Sequence, residues 1–309
     1  MCQDYVQVNR SILGQYLVNS TATLEARPAD ALRPTRDIAR GPAPWLDGLA
    51  LTLVYAVSMA SLAGFAVFAM HPALLNRVPG AAAIYGRMFV LAPRAQIIVV
   101  IAALALFLSR RVGTRWLPAF AAVYVLSLAS ELAGTTIGMP FGPYSYTDGL
   151  GLKLFSHVPA LIPASWFFMA LPSYAFARLR FPAPTQRGHR VLLGSFVLLS
   201  WDLVLDPAMS LVTKYWIWES AGTHYYGMPL VNLVGWYVTG LALMAALTAL
   251  HVDEWVREIP IGWFAAFYGA NLLLPVGMSV AAGLWGAAAA ASGALLAVWL
   301  IARGSAANA

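Results

Sequence analysis

The chain has 309 residues, 60% of them hydrophobic and 10% charged, with a formal net charge of +6 and a mean hydropathy of +0.70. Soluble domains carry about 25% charged residues, so this composition excludes a soluble globular protein. It points to an integral membrane protein with room for roughly seven to nine spans of about 20 residues each.

Residues 1–44 read as a polar, extended or disordered N-terminal tail, rich in proline and arginine through RPADALRPTRDIARGPAP. No cleavable signal peptide is visible ahead of the first long apolar run, near residue 46. Apolar runs then predict spans at 46–70, 95–109, 117–138, 154–177, 191–212, 229–250, 260–281 and 282–302. The second is short. Segment 71–94 reads equally as a loop, an interfacial helix or a re-entrant piece. The expected fold is therefore all-α: a single polytopic helical bundle over 45–303, followed by a short C-terminal tail, 304–309. The lone Cys2 excludes an internal disulfide.

The 19 basic residues set the orientation. In a soluble protein they would suggest nucleic acid; here they cluster in loops, which reads as topology and as no nucleic-acid partner. With both termini cytoplasmic, the inner segments hold Arg10, Arg27, Arg33, Arg36, Arg40, Arg110, Arg111, Arg115, Arg178, Arg180, Arg187, Arg190, Arg257 and Arg303. Only Arg77, Arg87, Arg94, Lys153 and Lys214 fall outside. The expected location is the bacterial inner membrane.

In that orientation three acids lie inside spans that run outward. Glu131 is in the outer half of the third span, and Asp202 and Asp206 in WDLVLDPAMS are one helical turn apart on one face of the fifth. A centred Asp costs on the order of 3 kcal/mol to insert, which makes such residues markers of function. No arginine lies in the third or fifth span to neutralise them. The two loops that follow, GMPFGPYSYTDGLGLK (138–153) and KYWIWESAGTHYYGMP (214–229), crowd aromatic and polar residues toward the same face. Taken singly, these aromatics fit an interfacial belt, GTTIG (134–138) fits a small-residue packing motif, and Asn232 and Asn271 fit helix-to-helix hydrogen bonds. Pro207 and Pro229 fit a kink and a helix start.

Several chemistries are excluded. Lys153 and Lys214 sit at span ends, so no lysine is placed for a mid-membrane Schiff base. The five histidines are scattered, without the clustering a membrane di-iron centre needs. Phosphate loops, dinucleotide fingerprints and nucleophile elbows are absent. What remains suits alkene protonation. A carboxyl group held out of water can stay neutral and donate a proton. Trp and Tyr faces stabilise the resulting carbocation, and a second carboxylate directs water to it. No metal or organic cofactor is required.

The motifs ELAG…G.PFGPYSYTDGLG (131–151), VPALIPASWF (158–167), WDLVLDPAM (201–209), YWIWE (215–219) and YYGMPLVNLVGWYVTG (225–240) resemble the carotenoid biosynthesis membrane family of CruF-type carotenoid 1,2-hydratases. The resemblance covers residues 115–245 and implies addition of water to the terminal C1–C2 double bond of an acyclic carotenoid end group. The implied substrate is acyclic or monocyclic: γ-carotene, lycopene or a bacterioruberin precursor. Asp202, Asp206 and Glu131 are then the candidate catalytic acids. Tyr144, Tyr146, Trp166, Trp201, Trp218 and Trp236 are candidates to line the polyene site, and Asn232 to orient a carboxyl group or the water. Partners are the carotenoid, water and membrane lipid, with association to other enzymes of the pathway a further expectation. The rival readings are a membrane lycopene cyclase, a proton-coupled transporter and a non-catalytic carotenoid-binding subunit.

Overall fold

Lipid offers backbone groups no hydrogen-bond partner, so each apolar run satisfies its own N–H and C=O groups by coiling. A computed structural model describes residues 44–219 and 224–303. The tails expected at 1–44 and 304–309 lie outside these residues, apart from Pro44. The helices are α1 (Pro44–Gly64), α2 (Ala81–Val112), α3 (Leu117–Ile137), α4 (Leu161–Arg180), α5 (Arg187–Asp206), α6 (Val231–Ala249), the short α7 (Val252–Val256), α8 (Ile261–Ala281) and α9 (Trp285–Arg303). Six stretches among the described residues, 45–69, 81–112, 117–137, 184–212, 231–249 and 261–281, are long and apolar enough to cross a membrane. The protein is an all-α, multi-pass membrane bundle. The remaining long helices are α4, which has 15 of its 20 residues buried, and the C-terminal α9.

Polar residues within these helices are mostly neutralised locally. Ser127, Ser173, Ser195, Ser200 and Thr248 each donate to the carbonyl one turn back on their own helix. Pro207 marks the change from α5 to a π-helical continuation, Pro207–Val212. Small residues bring α5 and α6 close: a Cβ at Gly194 would stand 2.7 Å from Met244 Sδ, and one at Gly240 3.1 Å from Ser195 Cβ. That approach carries the acidic face of α5 against the start of α6.

Segment 81–94 is neither a loop nor a re-entrant piece. It is the first part of α2, whose 32 residues extend about 48 Å at 1.5 Å per residue. The expected short span 95–109 is only its second half. Pro93 and the charges of Arg87 and Arg94 interrupt the apolar pattern without ending the helix. Arg94 is accommodated because its guanidinium donates to the carbonyls of Gly149 (2.9 Å) and Asp148 (2.8 Å). The fourth helix also starts later than expected, since residues 153–154 and 158–159 form the paired strands β2 (Lys153–Leu154) and β3 (Val158–Pro159).

Ion pairs gather the basic helix ends at one pole. Asp47 near the start of α1 accepts from Arg110 and Arg111 at the end of α2. Arg115 pairs with Glu258 at 2.7 Å. Asp253 on α7 lies 3.3 Å from Arg190 of α5 and accepts through its carbonyl from Arg178 of α4. The aromatic loops occupy the opposite pole.

Candidate active site

Two loops close over the acids as a small antiparallel ribbon. Strand β1 (Tyr144–Tyr146) pairs with β4 (Trp216–Trp218), Tyr144 opposite Trp218 and Tyr146 opposite Trp216. Side chains alternate along a strand, so these four rings share one face of the ribbon. Ile217, on the other face, is half exposed. The alternation in YSY and WIW thus aims two phenols and two indoles at the carboxyl groups below.

Glu131 accepts three hydrogen bonds: from Tyr144 Oη, from Tyr146 Oη (2.8 Å) and from Trp166 Nε1 (2.9 Å). Burial, with Glu131 beside them, pushes both phenols well above their usual range, which keeps them protonated as donors. Asp206 likewise accepts three. Trp216 Nε1 and Trp218 Nε1 each lie 3.1 Å from Oδ1, and Asn232 Nδ2 lies 2.9 Å from Oδ2. Asp202 differs. Its Oδ2 accepts from the same Asn232 nitrogen at 3.1 Å, while its buried Oδ1 has no hydrogen-bond partner among the described residues. All three acids are at least 96% buried. Their partners are indoles, phenols and an amide rather than guanidinium groups.

Aromatic rings wall this cluster. Trp166 stacks on Trp236 with centroids 4.0 Å apart, Trp236 meets Trp201 edge to face at 6.0 Å, and Tyr144 meets Trp218 at 4.9 Å. Such faces attract a desolvated cation by about 2 kcal/mol or more each. All ten residues singled out from sequence therefore meet in one place. Trp216 was not among them, although its spacing of two from Trp218 within a strand carried the signal. Asn232 bonds across from α6 to α5, as expected for a helix-to-helix contact. Asn271 does not: its amide donates to Phe267 O within α8, at 2.8 Å. Nor does GTTIG join two helices. Gly134 leaves room for the rings of Phe141 and Tyr144, and Gly138 closes α3 with φ of 74°; only glycine reaches that left-handed conformation at low cost.

Beside the acids lies a cavity of about 700 Å³, lined almost entirely by apolar side chains of α1, α2, α4, α5 and α8. It touches α2 from Ala81 to Val100, about 28 Å of helix at 1.5 Å per residue. Trp201 and Leu205 of α5, Met209 of its π-helical continuation and Thr213 just after it line the cavity at intervals of four residues. Asp202 and Asp206 sit about a quarter turn around the same helix, and Trp216, which donates to Asp206, also lines the cavity. Trp201 is the one sequence-predicted aromatic that lines this cavity; the others surround the carboxyl groups.

Comparison with known proteins identifies the family. A family model described as carotenoid biosynthesis protein matches residues 93–299. A bisanhydrobacterioruberin hydratase from Haloarcula japonica is 32% identical over 129 residues, which cover 40% of this chain and 41% of that relative. The match thus spans well under half of the relative's length. No solved structure matches.

Proposed function

The chain belongs to the carotenoid biosynthesis protein family, and from that premise we propose that it is a carotenoid hydratase. It adds water to the terminal C1–C2 double bond of an acyclic end group on a carotenoid of the lycopene or γ-carotene type. The observation that carries the reading is the inequality among three buried acids. Asp206 and Glu131 have both oxygens engaged by N–H and O–H donors, which leaves neither with an oxygen open to a substrate. Asp202 has one engaged oxygen and one free, so it is the acid able to present an O–H to substrate.

The polyene occupies the apolar cavity, and its end group passes Trp201 and Trp216, which line that cavity, to reach Asp202. The Asp202 proton adds to C2 using the alkene π electrons, leaving a tertiary cation at C1. The indole and phenol faces stabilise that charge. Another acid of the cluster holds the water that attacks C1, and the proton this water loses passes to the Asp202 carboxylate, restoring the acid. The sum is alkene plus water giving a tertiary alcohol. Both termini lie in the cytoplasm, since the ion-paired basic pole is the inner one under the positive-inside bias, and the acids then open toward the outer half of a bacterial inner membrane.

Purified protein in detergent, given lycopene and no other enzyme, tests this. A product heavier by one water supports it. A product of unchanged mass with a cyclised end group assigns the cyclase reaction instead, and no product together with simple binding assigns a carrier.

A further inference from the structure

The motif YYGMP, residues 225–229, folds as a hairpin that reaches the acidic stretch of α5 independently of the β1–β4 ribbon. Its strands β5 (His224–Tyr225) and β6 (Met228–Pro229) pair antiparallel, with Tyr225 opposite Met228. Between them Tyr226 and Gly227 both have positive φ, 52° and 87°, as the tightest hairpin turns require. Tyr225 Oη donates to the carbonyl oxygen of Leu203 at 3.0 Å, one residue after Asp202. In an unbroken α-helix that carbonyl accepts from the N–H of residue 207. Residue 207 is proline and has no N–H, so the tyrosine supplies a donor in its place. Burial, with Tyr226 and Asp202 adding to it, pushes the Tyr225 phenol up to about 12, which keeps it a donor. Met228, opposite it, is fully buried, and its Sδ stands 2.7 Å from Asn232 Nδ2, the nitrogen that bonds both aspartates.

We propose that Tyr225 is a positioning residue for Asp202, acting through the Leu203 peptide, while Met228 seats Asn232. The proposal rests on the hydratase reading and adds to it the part that aims the acid. Asp206 is held by two indoles of the ribbon, whereas Asp202 has a single side-chain bond, from Asn232. The direction of its other oxygen therefore depends on where the α5 backbone stands relative to α6. A proline is the usual place for a helix to bend, and here it lies one residue beyond Asp206. The hairpin grips both sides of that arrangement, the backbone of α5 through Tyr225 and the amide of α6 through Met228. A tyrosine serving only as an interfacial anchor would turn its hydroxyl to the headgroups and water. This one turns it inward, onto a helix carbonyl.

The test is a double-mutant cycle on purified protein, with Tyr225→Phe removing the donor and Pro207→Ala restoring an N–H that can reach the same carbonyl. Tyr225→Phe alone should lower kcat for lycopene by about tenfold, the effect of a small misplacement of a reacting group. KM, and polyene binding read from the quenching of tryptophan fluorescence, should hardly move. In the Pro207→Ala background the same substitution should cost less than about twofold, because the backbone now supplies the bond. An equal loss in both backgrounds overturns the proposal, as does a loss carried by KM. Hydrogen exchange across residues 203–212 gives a readout that needs no turnover. Faster exchange in Tyr225→Phe, slowed again when Pro207→Ala is added, keeps the Tyr225 contact even where wild type forms no hydrated product, a result that rejects the hydratase reading alone. Wild-type hydration with unchanged exchange and kcat in Tyr225→Phe rejects the positioning role and leaves that reading standing.

Discussion

Trp216 and Trp218 place their indole nitrogens at the same 3.1 Å distance from one oxygen, Oδ1 of Asp206. Two residues apart on one strand, they act as a paired clamp that the β1–β4 ribbon holds in register. Hydrogen bonds to a charged group are each worth about 1.5–3 kcal/mol. Replacing either indole by phenylalanine keeps a ring face over the cation and removes one donor. Hydration by Trp216→Phe or Trp218→Phe should fall roughly 10- to 100-fold, and the double variant should fall further; steady-state product formation in detergent checks this.

Asn232 joins the two aspartates through a single nitrogen, 3.1 Å from Asp202 and 2.9 Å from Asp206. Asn232→Leu leaves two buried carboxyl groups facing each other without that donor. The expected result is a loss of activity on the order of 10²-fold or more, with polyene binding retained, since Asn232 is not among the cavity residues. Activity and tryptophan quenching measured on the same preparation separate the two effects.

Gly235 on α6 lets the 138–143 loop lie against the helix. A Cβ there would stand 2.8 Å from the Pro140 carbonyl oxygen and 2.6 Å from the Phe141 ring. Gly235→Ala must displace backbone, so it should lower the thermal midpoint and impair hydration by moving the ribbon off the acids. Val234→Ala, at a neighbour that is 60% exposed, should change neither. A thermal-shift assay on both variants decides it.

At the opposite pole two ion pairs differ in burial. Asp47 is 7% exposed and holds two arginines, so Asp47→Asn should cost on the order of 3 kcal/mol. The Arg115–Glu258 pair is half exposed and is worth at most about 1 kcal/mol. The Arg115 hydrogen bond holds the Glu258 carboxyl below its usual range. That small contribution is present above the ordinary glutamate pKa and is lost as pH falls through the lowered value. Thermal midpoints should therefore drop markedly for Asp47→Asn at neutral pH and hardly move for Glu258→Gln.

The parts of this architecture that follow from repeating patterns were legible in the amino acids. Long apolar runs gave helices at all eight expected positions. Asp202 and Asp206, one turn apart in a span without arginine, marked one helix face, and the crowding of aromatic residues in the loops 138–153 and 214–229 pointed to the same end of the bundle. What depends on distant partners was not legible. The full length of α2 was hidden because Arg94 looks like a span end until its guanidinium is seen on the carbonyls of 148 and 149. Gln96 gives no periodic signal, and its hydrogen bond runs to Ser58 on a different helix. The difference between Asp202 and Asp206 is likewise set by which of them the ribbon reaches.

The central claim is that one neutral side-chain acid starts the reaction, and the sharpest test is the turnover of lycopene by purified Asp202→Asn beside wild type. The amide fills the same space and keeps an acceptor for Asn232 while removing the transferable proton. Turnover should fall between about 10²- and 10⁴-fold, with unchanged thermal midpoint and polyene binding. Hydration by Asp202→Asn at the wild-type rate would contradict the mechanism.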